Sequence, residues 1–403
     1  MTLDTHPVTR RPADGPRPAP ASVRAAVRHP VAALRWLWAY AMTPGAPGRP
    51  TTQQELRWLY GGWLLAFALK MLGSSWDVSW HFKWLRDDLA PPHLLNSAGT
   101  VLVVALVVVH SCSGRGVDRR ALRWMQVGTA TFLVAVPVDI MNHRINGLDI
   151  TSWSPSHMLL YVGTGIMLAG AIRGWWLYAA PGRARTVVHL GLWLFFLENI
   201  LFPNQHQEYG VLSLAAYRDG HTTAEPQLLD FAAAQGSSPT SFMLPVPPWV
   251  HPAWLIGAGL LALVVARRVV GLRWTATLLT ATYLGYRAVV WGLLVATGFP
   301  PSVLPVMLLA GAVLVDCAVT WRVPGWLAGV PIAAAVFLAA FLQEFVAVIP
   351  PWEWQVAPFV CIGFALLWAA VDRVGRTDRW ARWQVAVATD ERAAPVPGGA
   401  PAR

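Results

Sequence analysis

Two stretches, WDVSWHFKWLRDDLAPPHLL (residues 76–95) and VDIMNHRINGLDITSWSPSHMLL (residues 138–160), decide how this chain is read. Each places an aspartate four residues before a histidine, then a second histidine just after proline at the start of an apolar run. Asp77, His81 and His93 form the first set, and Asp139, His143 and His157 the second. In a helix, residues four apart share a face, so each aspartate projects beside its histidine. The proline suits the first turn of a returning helix, where its missing N–H removes no hydrogen bond. Each stretch therefore reads as the mouth of a helical hairpin that gathers one carboxylate and two imidazoles.

The rest of the composition says what surrounds those hairpins. Mean hydropathy is +0.44 with only 13% charged residues, where a soluble domain carries about 25%. That pattern implies a polytopic integral membrane protein of all-α class. Ten apolar segments, each roughly 20 residues and long enough to span a bilayer, run over 56–76, 93–112, 121–142, 157–178, 185–203, 249–267, 273–298, 302–320, 325–349 and 355–372. Proline-containing starts recur at every second segment (APPHLL, SPSHMLL, PPWVHPAW, PPSVLP, PPWEWQVAP), which groups the ten into five hairpins.

Arginines cluster in the connections at 113–120, 173–185, 266–273 and 372–382, whereas those at 82–92, 204–248 and 350–353 are neutral or acidic. By the positive-inside rule both termini face the cytoplasm and the Asp/His mouths face outward. The net charge of +10 is spread over these short clusters rather than along one basic stripe, so it points to topology and not to nucleic acid. Residues 1–54, rich in Pro, Ala and Arg, read as a disordered cytoplasmic arm rather than a signal peptide; 55–376 form the bundle, with an outer loop at 204–248, and 377–403 a disordered tail. Cys112, Cys317 and Cys361 lie in apolar segments without metal-type spacing, so neither disulfides nor a thiolate site is indicated.

Carboxylate and imidazole donors without thiolate suit copper, zinc or non-haem iron, and three protein donors leave positions open for chemistry or transport. Ionisable groups at membrane depth cost about 2.5 to 3.5 kcal/mol each, which argues against chance placement of six. The bland alternative is that these histidines merely face water or bond carbonyls at helix ends. Glu198, His206, Glu208, His221 and His251, around the long outer loop, are further candidate donors, and Asp87, Asp88 and Asp149 candidate second partners of the histidines. His110 and His189 lie in the cytoplasmic halves of their helices and are not expected as ligands. Arg287 and Glu344, ionisable groups inside two late helices, are expected to pair with each other.

The motifs D-x3-H-x11-H and D-x3-H-x13-H resemble the paired copper motifs of the membrane C subunit of copper membrane monooxygenases, the particulate methane and ammonia monooxygenases. The resemblance covers roughly residues 55–175. The first motif has one residue fewer in its loop than the family's, and Asp139 stands where the family has Asn. The chain also departs from that family in carrying ten helices in one polypeptide with no β-rich domain. The resemblance implies copper held by Asp77, His81, His93, Asp139, His143 and His157, O2 as co-substrate, and a hydrophobic or small neutral substrate reached from the lipid bilayer. A homo-oligomer or partner subunits would then complete the assembly. A metal transporter or sensor built on the same donors, and a lipid-linked glycosyl or acyl transferase using Asp77, Asp87 and Asp88, are the rival expectations.

Overall fold

The computed structural model describes residues 30–80, 90–146, 152–205, 247–298, 302–347, 349–350 and 352–377. Its helices are α1 Pro30–Ala41, α2 Gln53–Trp80, α3 Pro91–Ser113, α4 Arg119–Asn146, α5 Pro155–Tyr178 and α6 Arg183–Gln205. The second half follows with α7 Val250–Val270, α8 Thr275–Ala296, α9 Met307–Thr320, α10 Gly325–Glu344 and α11 Ala357–Gly375. The chain is a polytopic helical bundle: eight of these helices are long and apolar enough to cross a membrane. The other two expected spans fall outside that set: α2, which carries Lys70 and Asp77, and α9, which has 14 residues.

The expected segments are all helical, with shifted ends. α9 starts at Met307 rather than near 302 because Gln343 of α10 takes over the capping there, accepting from Met307 N at 3.0 Å and donating to Leu304 O at 2.6 Å. The arm expected up to residue 54 takes on structure from Pro30, as α1 and a segment tied to the end of α3 by Gly45 N to Cys112 O and Gly48 N to Val117 O. The loop at 206–246, with His206, Glu208 and His221, lies outside the described residues, as does nearly all of the expected tail.

Lipid supplies no hydrophobic force between helices, so close backbone packing has to. A Cβ on Gly73 would lie 2.6 Å from Asn96 N, and one on Gly99 would lie 2.7 Å from Ala66 O, so α2 and α3 touch at both levels. In the second hairpin Gly128 and Gly163 do the same, with Met167 N at 2.5 Å and Phe132 N at 2.7 Å. Gly99 and Gly163 each stand six residues after their hairpin's proline-preceded histidine, which makes the two hairpins structural repeats. The far face of α4 exposes Val134, Val138, Ile140 and Met141, an apolar surface suited to lipid.

At the arginine-rich end an acid repeatedly caps the first helix of a hairpin and pairs with an arginine. Glu55 and Thr52 form a capping box on α2 (2.8 and 3.2 Å), and Glu55 binds Arg115 at 2.8 Å. Asp118 accepts from Ala121 N of α4 at 2.8 Å and binds Arg173 at 2.7 Å, with both side chains fully buried. Asp316 accepts from Thr277 N of α8 at 2.8 Å and binds Arg267 at 3.1 Å. Asp372 accepts from Gly325 N of α10 at 2.8 Å and binds Arg268. Four orphan helix starts are thereby satisfied and four positive charges neutralised.

If backbone contact sets the hairpins, Gly163→Ala should lower thermal stability in detergent by about 1 to 3 kcal/mol, the usual cost of overpacking. Gly285→Ala, where an added Cβ meets nothing within 4 Å, should cost nothing. Equal melting temperatures for the two variants would contradict the account.

Candidate metal site at the hairpin mouths

The returning helix of each of the first two hairpins opens in the same way. Pro91 and Pro155 are the first residues of α3 and α5, and His93 and His157 the third. Ser154 caps α5, its hydroxyl accepting from His157 N at 3.2 Å, while Ala90 does the corresponding job for α3 with backbone alone.

With the helices in register, each histidine meets the aspartate of the outgoing helix. His93 Nε2 lies 2.7 Å from Asp77 Oδ1, and the two side chains are partly exposed, at 32% and 28%. His157 Nε2 lies 3.5 Å from Asp139 Oδ1. The structure thus brings together four of the six expected ligands as two like pairs.

The other two are not placed. His81 lies outside the described residues, as do Asp87, Asp88 and Asp149. His143 is on α4 one turn beyond Asp139, and only its backbone is described. Among the described residues no three metal-binding side chains cluster.

Beneath Asp77 a line of polar contacts continues inward. Asn96 Nδ2 donates to Ser74 Oγ at 2.9 Å, and Lys70 Nζ donates to Asn96 Oδ1 at 3.3 Å and to Thr100 Oγ1 at 3.0 Å. The same amine sits 3.4 Å from the ring centroid of Phe132 on α4, a cation–π contact that joins the two repeats. Phe132 stands seven residues before Asp139, as Lys70 does before Asp77. Sequence reasoning passed over this ladder. Its signal was available: Lys70 is the only charged residue in 58–76, and Lys70, Ser74 and Asp77 share one helical face.

The third hairpin contributes differently. His251, near the start of α7, is buried, and among the described residues neither ring nitrogen has a partner. Its ring meets Trp153, in the mouth of the second hairpin, edge-on at 5.8 Å, and its carbonyl accepts from Asn204 Nδ2 at 2.8 Å. A π-helical turn, Leu255–Leu260, follows. Such turns are often found where a helix is shaped for function. His251 is therefore beside the second mouth, whereas Glu198 is committed elsewhere.

Glu198 corrects another expectation. Arg287 pairs not with Glu344 but with Glu198, NH1 to Oε1 at 3.3 Å with both side chains fully buried, while Glu344 is exposed at the end of α10. Arg287 also donates to Val303 O at 3.3 Å, and Ser75 Oγ approaches Glu198 Oε1 at 3.5 Å and Tyr286 OH at 3.2 Å. The physical reason is depth. Arg287 lies in the middle of α8, and only an acid at that depth spares it a lone buried charge. His110 is fully used as well: Nδ1 bonds Arg115 O at 2.8 Å, so that nitrogen carries the proton and Nε2 accepts from Trp63 Nε1 at 3.0 Å.

No protein-family model, curated protein or solved structure matches the chain.

The reassigned ion pair is directly testable. Glu198→Gln strands Arg287 in the membrane core and should cost about 3 to 5 kcal/mol, read as a large drop in melting temperature. Glu344→Gln should leave it unchanged. The reverse order of effects would restore the Arg287 to Glu344 pairing.

Proposed function

We propose that this chain is a metal-dependent oxidoreductase of the cell membrane, a monooxygenase that uses copper, with iron or zinc also compatible with its donors. The supporting observation is the repeated aspartate–histidine contact, at 2.7 and 3.5 Å, across two proline-started hairpin mouths. Two donors that bind one ion at about 2.0 to 2.1 Å stand about 2.9 to 3.4 Å apart for right-angle to tetrahedral geometry. The contact at the first mouth is slightly shorter than that span and the contact at the second slightly longer, so a small side-chain rotation at each would admit an ion in place of the proton between carboxylate and imidazole. His81 and His143 are the proposed third donors.

When bound, the metal supplies activation of O2 at positions the protein leaves open. The chain's own work is to bind and orient. Asp77 and Asp139 supply negative charge, His93 and His157 present Nε2, and Ser154 fixes the start of the helix that carries His157. The resemblance of residues 55–175 to the copper monooxygenase C subunit adds a small neutral or hydrophobic substrate, which would arrive from lipid along the apolar face of α4. In this reading the arginine-rich end is cytoplasmic and the mouths open outside.

The ladder beneath Asp77 weighs against a transporter. A cation moving inward needs successive oxygen acceptors, but Lys70 Nζ donates to both Asn96 Oδ1 and Thr100 Oγ1, the next acceptors in line. The path ends on an amine, which suits a site that holds its ion.

Protein purified in detergent from copper-supplemented cells should carry bound metal by mass spectrometry after gel filtration. His93→Ala and His157→Ala should each lose one equivalent, because removing one of three ligands leaves too few donors against water. His110→Ala should keep full occupancy. Full occupancy in a combined His93→Ala, His157→Ala variant would return the histidines to plain helix-end roles.

A further inference from the structure

The arginine-rich end holds a feature that the proposed chemistry does not use. A cavity of about 600 Å³ opens where α7, the end of α9, the α9–α10 connection and the end of α11 converge. Its wall is apolar, with Leu261 and Val265 from α7, Val319 from α9, and Leu367 and Val371 from α11. Its rim carries Arg268, Arg322 and Arg376. Arg268 is held by Asp372. Arg322 and Arg376 are exposed and, among the described residues, have no carboxylate partner.

Four observations bear on what kind of molecule suits this pocket. Two guanidinium groups without a carboxylate partner among the described residues, beside a largely apolar wall, select an anion that carries hydrocarbon, since a free anion makes no use of the wall and a neutral lipid makes none of the charge. The cavity borders the lipid-facing side of α11, where Leu367 and Val374 are exposed, so a chain can enter sideways from the bilayer. Trp321 and Trp326, 73% and 64% exposed, flank the rim, and exposed tryptophans mark headgroup depth. Arg322 itself holds a left-handed backbone with φ of 58° at the end of α9, a conformation that favours glycine, yet a long basic side chain occupies it.

We propose that this pocket binds one anionic phospholipid, with its phosphate against Arg322 and Arg376 and an acyl chain along the wall formed by α7 and α11. The site is separate from the hairpin mouths and does not depend on their chemistry. By bridging the ends of α7, α9 and α11 it would add α9 to the α7, α10 and α11 ends already linked by the Arg268 to Asp372 and Gly325 contacts.

The test is native mass spectrometry of the full chain in detergent, titrated with phosphatidylglycerol or with phosphatidylcholine of the same acyl chains. The wild type should retain the first lipid more tightly, by a factor on the order of ten. The combined Arg322→Gly, Arg376→Gln variant should lose that preference. Arg322→Gly alone relaxes the backbone at that position, so it keeps the fold and should lose part of the preference. Inorganic phosphate in excess should not displace the bound lipid. Equal retention of both lipids by the wild type, an undiminished preference in the variants, or displacement by phosphate alone would each overturn the assignment.

Discussion

The backbones of α2 and α3, and of α4 and α5, come into contact at glycines, and the geometry of the mouths follows from that contact. Helices in lipid gain little from burying leucine against leucine, so their register is held by shape. Gly73 and Gly99 in one hairpin, and Gly128 and Gly163 in the other, allow only a narrow range of slides before a carbonyl or amide is struck. Within that register the third residue of the returning helix lies opposite the aspartate of the outgoing one. A proline at the first position fixes where the returning helix begins, so it also fixes where the histidine stands.

The paired carboxylates of the described residues divide by partner rather than by exposure, since Glu55 and Asp372, partly exposed, also bind arginines. Asp118, Asp316 and Glu198 are fully buried, and each is paired with an arginine, whose charge is permanent. Asp77 and Asp139 are partly exposed and face imidazoles instead. An arginine partner locks a carboxylate into a structural role. A histidine partner leaves both members available, because the imidazole can give up its proton and offer a lone pair. That contrast distinguishes the mouths from the other acid–base contacts in the fold and is why they, rather than the deeper pairs, carry the functional proposal.

The architecture was legible in the sequence because it rests on signals that add along the chain: apolar runs of membrane length, prolines at helix starts, and arginines at one end. The contacts of Asp77 with His93 and of Asp139 with His157 were legible for a local reason, since a proline before the returning histidine leaves little choice of where that histidine stands; the four-residue spacing to His81 and His143 concerns side chains outside the described ones. What was not legible depends on contacts between distant segments. Glu198 and Arg287 come from different hairpins, and nothing in either segment says that their depths match while Glu344 lies too far out. The ladder from Asp77 to Lys70 was visible in part, but its acceptors Asn96 and Thr100 belong to the partner helix, and only the glycine register selects them. His251 could be named from its proline-rich start, yet its place beside Trp153 follows from how the third hairpin packs on the second.

The central claim is that a metal ion takes the place of the proton between aspartate and imidazole at the hairpin mouths. X-ray absorption spectroscopy of the copper-loaded full chain, compared between wild type and a His93→Ala, His157→Ala variant, addresses it most directly. The account predicts a first shell of nitrogen and oxygen only, at about 2.0 Å, with the outer-shell scattering of imidazole, and a marked loss of that imidazole signal in the variant. Sulfur in the first shell, or an imidazole signal that survives both substitutions unchanged, would contradict it.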